Sequence, residues 1–238
     1  WARIIAQSVY YFYSYFLVKN DEEPVNFSVP TGNFGDVYAG YLAKKMGLPI
    51  NKLIVATNQN DILHRAISKG IYEADEVLET ISPSMDIQIA SNFERLIFDL
   101  NNEDDGQTSL DMKNIRETGK YLIDKEKLAK ISENFLSARM NEKETLEVIS
   151  SVYEEFKVVL DPHTAVGYGA FDKHDLNGVN IVLGTAHPSK FPGAIQNAIK
   201  IKSKLPSEMM FILDEKENFD ILENDIEKVK HHIKDRFQ

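Results

Sequence analysis

Val25-Asn26-Phe27-Ser28-Val29-Pro30-Thr31-Gly32-Asn33-Phe34-Gly35-Asp36, running straight into Val37-Tyr38-Ala39-Gly40-Tyr41-Leu42-Ala43, decides the fold. It reads as a short strand over 25–30, a glycine-punctuated turn, and a helix over about 36–46 closed by Gly47 and Pro49. Such a turn aims several backbone N–H groups at one point, where the helix start adds unpaired donors and the positive end of its dipole. That point suits an anion. Neither GxGxxG nor Gly-Lys-Ser/Thr is present, so the dinucleotide and P-loop fingerprints do not apply. The plainer alternative is an ordinary turn in which the glycines take positive φ and Asp36 caps the helix. A carboxylate at Asp36 repels a phosphate, so an anion seat there requires Asp36 to point into the helix start or to be offset by a dipole or cation.

Outward from this stretch, Lys52 to Thr57 suits a strand buried on both faces, Asp61 can cap a helix over Ile62 to Lys69, and Gly70 ends it. Alternating strands and helices predict a parallel α/β sheet flanked by helices. From 86 to 157 the pattern turns helical: Ile87, Phe93, Leu96, Ile97 and Leu100 support one helix, the polar run 101–106 reads as a surface loop, and 128–156 carries amphipathic helices. We therefore divide the chain into an α/β domain, 1–85 with 158–238, and a helical insertion, 86–157. Val179 to Leu183 is a further strand, leading into Gly184-Thr185-Ala186-His187-Pro188, and 221–238 reads as a charged amphipathic helix.

The first residues, Trp1 to Val18, form a helical pattern with Ile5, Val9, Phe12 and Phe16 on one face, Ala6, Tyr13 and Leu17 on another, and a narrow polar stripe of Arg3, Gln7, Tyr10 and Ser14. A helix apolar on most sides belongs inside a larger protein, so the chain is expected to begin within a longer polypeptide. The polar residues and crowded tyrosines argue against a membrane span.

Composition narrows the function. A net charge of −10 over 238 residues disfavours a nucleic-acid-binding face yet tolerates a small anion held by local donors. With no cysteine there is no thiolate nucleophile, disulfide or cysteine-bound metal, and a reducing cytosol fits. Asp161, His163 and His187 do not make up a metal-ligand set, so no metal is expected. Asp161-Pro162 reads as an N-cap followed by proline at the first helical position, with Asp161 or His163 bordering a site as the alternative. His187 reads as a hydrogen-bonded structural histidine. Small residues and a hydroxyl at the end of strand 179–183 stand where parallel sheets place ligands, with a plain turn as the alternative.

Taken in order, Trp1-Ala2-Arg3-Ile4, Val29 to Asp36, Ala56-Thr57-Asn58, Ser82 to Ile87, Ser91 to Leu96, Asp161 to Ala165 and Thr185 to Phe191 resemble threonine synthase of the branch found in many bacteria and fungi. The resemblance implies a tryptophan-synthase-like fold and pyridoxal 5'-phosphate as cofactor. It also implies conversion of O-phospho-L-homoserine and water to L-threonine and phosphate, in the cytoplasm. By position, Gly32, Asn33, Phe34, Gly35 and Asp36 would bind the cofactor phosphate, and Thr185 would face the pyridine nitrogen. Arg3, on the polar stripe, would reach the substrate phosphate. The family's Schiff-base lysine lies in an upstream segment with no counterpart here, and Lys190 belongs to a different motif. The chain therefore resembles roughly the second half of the enzyme, with the amino-terminal half as its missing partner and no catalytic residue visible. A non-catalytic homologue binding a phosphorylated small molecule, a purely structural half, and another pyridoxal-phosphate lyase of the same fold are the alternatives.

Overall fold

In a computed structural model that describes residues 1–19 and 23–237, the chain divides into two compact units, Trp1–Ser203 and Lys204–Gln238. The first opens with α1 (Ala2–Val18), β1 (Val25–Pro30), α2 (Gly35–Lys45), β2 (Ile50–Thr57), α3 (Ile62–Lys69) and β3 (Ile71–Glu73). It continues through α4 (Phe93–Leu100), α5 (Asp105–Thr118), β4 (Lys120–Leu122), α6 (Lys125–Asn134), β5 (Phe135–Arg139) and α7 (Glu142–Phe156). It closes with α8 (Pro162–Asp172), β6 (Val179–Val182) and α9 (Pro192–Ile199).

Four strands form one sheet in the order β5-β2-β1-β6, and every neighbouring pair is parallel. All six residues of β1 are buried, as an inner strand of a sheet covered on both faces must be. On one face lie α1 and α2. Tyr11 packs on Phe27 with ring centroids 4.9 Å apart, and Gly40 makes room for it, since a Cβ there would stand 2.4 Å from Tyr11 Cε1. On the other face α8 comes close enough that a Cβ on Gly167 would lie 3.0 Å from Pro30 Cγ and Val182 Cγ1. The buried Ser28 hydroxyl donates to the Gly167 carbonyl at 2.5 Å, satisfying both groups inside the layer.

Several local expectations are revised. Asp61 does not cap α3; its carboxylate pairs with Arg65 Nε at 2.8 Å instead. Ile87 lies outside α4, because a 3-10 turn at Pro83–Met85 and the bends after it separate the two. The polar run 101–106 is a loop only at its start: Asp104 caps α5 by accepting from Gln107 N–H, and the helix runs from Asp105. Residues 86–157 are not purely helical, since β5 joins the parallel sheet and β4 pairs antiparallel with β3.

The second unit contains a 3-10 stretch, Ser207–Leu213, and α10 (Ile226–Phe237). The helix expected from 221 begins five residues later, and Asp220 instead accepts an ion pair from Arg236 at 2.5 Å. Gln238 lies outside the described residues.

Candidate functional site

Adjacent parallel strands β1 and β6 point their carboxyl ends at one cavity of about 630 Å³. Parallel sheets place ligands at this edge, where chains leaving neighbouring strands open a crevice. One wall is the turn after β1, from Thr31 through Asp36. Another is the segment after β6, with Gly184, Thr185 and Ala186. The polar stripe of α1 (Arg3, Gln7, Tyr10, Ser14) closes a third side, and Ser84, His163 and Lys190 contribute to the rim and floor.

The turn after β1 is set by contacts around it. The close approach of backbone requires Gly32: a Cβ there would lie 2.6 Å from the Ser84 carbonyl oxygen and 3.2 Å from Met85 Cα. Phe34, not a glycine, takes the left-handed conformation, at φ 67°. An aromatic residue there stores strain, and the structure holds it by burying the ring completely against Phe93, edge-on at 5.2 Å, and Phe135 at 5.9 Å. Asn33 closes the turn ahead of α2, its side-chain Oδ1 accepting from Gly35 N–H at 2.8 Å, while its backbone carbonyl accepts from Asn92 N–H at 3.0 Å. The alternative in which glycines supply the positive φ and Asp36 caps is thereby corrected on both points.

Asp36 occupies the first turn of α2 and faces the cavity. Burial pushes its carboxyl up to about 6, against the opposing pull of a hydrogen bond from Tyr11 and the charge of Arg3. Tyr11 donates to the Asp36 carbonyl at 2.8 Å and lies 3.4 Å from Oδ1. Arg3, from the stripe of α1, is the cation whose charge acts on the Asp36 carboxylate.

Across the cavity, Thr185 is exposed and Gly184 is loosely surrounded, its nearest neighbour for a Cβ being Thr164 Oγ1 at 3.9 Å. His187 Nδ1 accepts from Ser189 N–H and so caps the short 3-10 turn Pro188–Lys190. Beneath, Asp161 caps α8: its carboxylate accepts from His163 N–H at 2.9 Å, Thr164 N–H at 3.3 Å and the Thr164 hydroxyl. Burial pushes this carboxyl up, but the hydrogen bonds from His163 and Thr164 outweigh it and hold the group below its ordinary value.

Every residue expected at the site from sequence, Arg3, Gly32, Asn33, Phe34, Gly35, Asp36 and Thr185, lines this cavity. Phe34 does so mainly through its backbone, since its ring is buried in the core. Sequence reading alone did not bring in Ser84 or Lys190, nor did it decide that His163 borders the cavity. Among the described residues there is no group of three or more His, Cys, Asp or Glu able to hold a metal, and no helix long and apolar enough to cross a membrane.

Comparison with known proteins accounts for this arrangement. The threonine synthase carboxyl-terminal family model matches residues 164–233. Threonine synthase of Pseudomonas aeruginosa is 42% identical over 236 residues, covering 98% of this chain and 50% of that protein. Threonine synthase of Saccharomyces cerevisiae is 43% identical, covering 99% of this chain and 51% of its own length. The chain belongs to the threonine synthase family. It spans about half the length of the curated relatives it matches. Its fold superimposes on a pyridoxal-phosphate-bound threonine synthase from Brucella melitensis with a TM-score of 0.92 and 41% identity, covering 99% of this chain and 51% of that structure. The parallel sheet and its flanking helices are therefore a scaffold shared with that threonine synthase.

Proposed function

We propose that the cavity binds pyridoxal 5'-phosphate with its phosphate at the Gly32–Asp36 turn. In this reading the chain is the cofactor-binding part of a cytoplasmic threonine synthase that converts O-phospho-L-homoserine and water to L-threonine and phosphate. The observation carrying it is the cradle at Gly32, where backbone packs so closely that no side chain fits, beside the start of α2 and facing the same cavity as Thr185. A helix start and a turn held in place by close backbone packing are what a tightly held phosphate needs.

When bound, pyridoxal phosphate supplies the electron sink for carbanion chemistry. The chain's own residues hold and tune it. Apart from Gly35 N–H, which donates to Asn33 Oδ1, backbone donors at the start of α2 would face the phosphate, and Arg3 would offset the Asp36 carboxylate beside it. From the polar stripe Arg3 also extends toward the substrate's phosphate, which its planar fork suits. A hydroxyl at Thr185 hydrogen-bonds the ring nitrogen without carrying a full charge, so it leaves that nitrogen largely unprotonated. The Schiff-base lysine belongs to the other half of the relatives' length, which makes the 238-residue chain alone unable to turn over substrate.

Titrating the chain with pyridoxal phosphate, followed by borohydride reduction and mass spectrometry, tests this. Reversible binding, no trapped adduct and no threonine release from O-phospho-L-homoserine are expected. Release of threonine would overturn the assignment of the lysine to the other half, and so would a trapped adduct on Lys190, the lysine in the cavity wall. Absence of binding would overturn the phosphate seat.

A further inference from the structure

We infer that His163 is a positioning residue for the anion turn: by accepting the Ser84 N–H it sets the carbonyl against which Gly32 is packed. The His163 side chain is 4% exposed, and the ring of Phe191 packs on it at 4.8 Å between centroids. Its Nδ1 lies 3.1 Å from Asp161 Oδ1, a carboxylate oxygen that only accepts, so Nδ1 carries the proton. The other nitrogen, Nε2, is then free to accept, and Ser84 N–H donates to it at 3.3 Å. One side chain thus joins the start of α8 to a turn 79 positions away in sequence.

That turn reaches the site directly. The Ser84 carbonyl oxygen is the atom a Cβ on Gly32 would meet at 2.6 Å, so the backbones of Ser84 and Gly32 are in contact. The flanks of the turn are fixed independently. Asp86 Oδ1 accepts from Asn58 Nδ2 at 2.7 Å and Asn60 Nδ2 at 3.0 Å, and Oδ2 accepts from Thr80 N–H at 2.8 Å. These bonds tie the segment to the end of β2 but do not grip Ser84 itself. His163 does, and a shift of Ser84 by a few tenths of an ångström passes straight to Gly32, because close-packed backbone has no slack to absorb it.

The function of this chain of contacts rests on the phosphate seat proposed above; its structural part stands without that seat. Two substitutions separate the two ring nitrogens. His163→Asn keeps a donor near Nδ1 for Asp161 but has no atom at Nε2, whereas His163→Gln reaches the Nε2 position with an acceptor oxygen and gives up the Asp161 contact. Two readouts are taken: the Gly32 amide resonance of the 15N-labelled chain without ligand, and affinity for pyridoxal 5'-phosphate. In His163→Asn the Gly32 resonance is expected to move and affinity to fall about tenfold, the size set by a buried donor losing its acceptor. In His163→Gln the Gly32 resonance is expected to stay near its parent position and affinity within about twofold of the parent chain. A Gly32 resonance unmoved by His163→Asn overturns the inference. So does a His163→Gln chain as impaired as His163→Asn, which would make the Asp161 contact the one that matters.

A third measurement needs no substitution: the His163 15Nε2 resonance of the parent chain is expected to shift on adding pyridoxal phosphate, and an unmoved resonance in a chain that binds the cofactor overturns the coupling. A parent chain that binds no cofactor overturns only the phosphate seat, and the ligand-free Gly32 resonance still decides the positioning role.

Discussion

β1 and β6 lie side by side, run the same way and release the chain at the same sheet edge, yet the turns that follow them are built in opposite manners. After β1 the turn is locked from all sides. Gly32 abuts Ser84, the Asn33 carbonyl is taken by Asn92, and the strained backbone of Phe34 is held by a fully buried ring. After β6, Gly184 and Thr185 are exposed, and a Cβ on Gly184 would touch little. A phosphate demands several donors at fixed positions, and only an over-determined turn keeps them there without paying the ordering entropy at each binding event. A single hydroxyl partner demands one rotamer and little else. The difference between the turns mirrors the difference between the two ends of the proposed ligand.

The contrast breaks or holds most clearly at the two glycines. Gly32→Ala forces a Cβ to 2.6 Å from a backbone oxygen that cannot rotate away. It is expected to destabilise the chain by about 2–3 kcal/mol in chemical denaturation, as overpacking does, and to lower pyridoxal phosphate affinity at least about tenfold. Loss of affinity without loss of stability would mean that the turn yields and only the donors move. Neither loss would mean that the cradle is not tight, and the argument for a preorganised seat would fail with it.

How much of this was legible in the sequence follows the same division between local and distant causes. The β1–turn–α2 unit is written in consecutive residues: an apolar strand, two glycines, a helix with a glycine stop. The stripe of Arg3, Gln7, Tyr10 and Ser14 could be read from helical spacing, and it does line the cavity. What escaped depends on partners remote in sequence. β5 begins where α6 ends, without a breaker, so Phe135 to Arg139 reads as more helix until pairing with β2 makes it a strand. β3 and β4 are three residues each, and their pairing of 71–73 with 120–122 leaves no hairpin signal. Asp61 has the composition of a cap, but Arg65, one helical turn on, takes its carboxylate. The left-handed residue was sought at a glycine and stands at Phe34, because aromatic neighbours from α4 and β5 hold what local preference opposes. Ser84 and His163 could not be joined by any spacing rule.

The next effect concerns charge within the locked turn. Burial raises Asp36 from 3.8 to about 6, so the folded state favours its protonated form. A carboxyl whose pKa is raised on folding contributes most below its unfolded value, near 4, and loses that contribution as pH rises through about 6. A shift of about two units corresponds to a ceiling of ~3 kcal/mol, which partial solvent contact reduces to about 1–2 kcal/mol. Asp36→Asn is therefore expected to be more stable than the parent by about 1–2 kcal/mol at pH 8, with the difference closing below pH 4. Its affinity for pyridoxal phosphate at pH 8 should also rise, since an ionised carboxylate no longer faces the phosphate. The phosphate titrates in the same range, so the two chains are compared at each pH rather than each with itself. A parent and variant with parallel stability curves would show that Asp36 is solvated as an ordinary carboxylate.

The smallest effects belong to the open turn, and they sharpen the comparison because they are small. Gly184→Ala adds a methyl group whose nearest neighbour lies at 3.9 Å, so stability should change by no more than about 0.5 kcal/mol, as at other unencumbered surface positions. A loss as large as that of Gly32→Ala would make the two turns alike and remove the distinction drawn between them. Thr185→Ala should likewise leave stability within about 0.5 kcal/mol. If its hydroxyl serves the pyridine nitrogen, affinity for pyridoxal phosphate falls by about 1 kcal/mol, some fivefold, the worth of one neutral hydrogen bond. Thr185→Ser keeps the hydroxyl and should bind as the parent does; Thr185→Val keeps the shape without it and should bind as Thr185→Ala. Serine and valine behaving alike would show that the position contributes packing only, and the ring nitrogen's partner would then lie elsewhere. A serine that binds like the parent beside a valine that does not would place one donor at the open turn, opposite a seat whose several donors are held by packing.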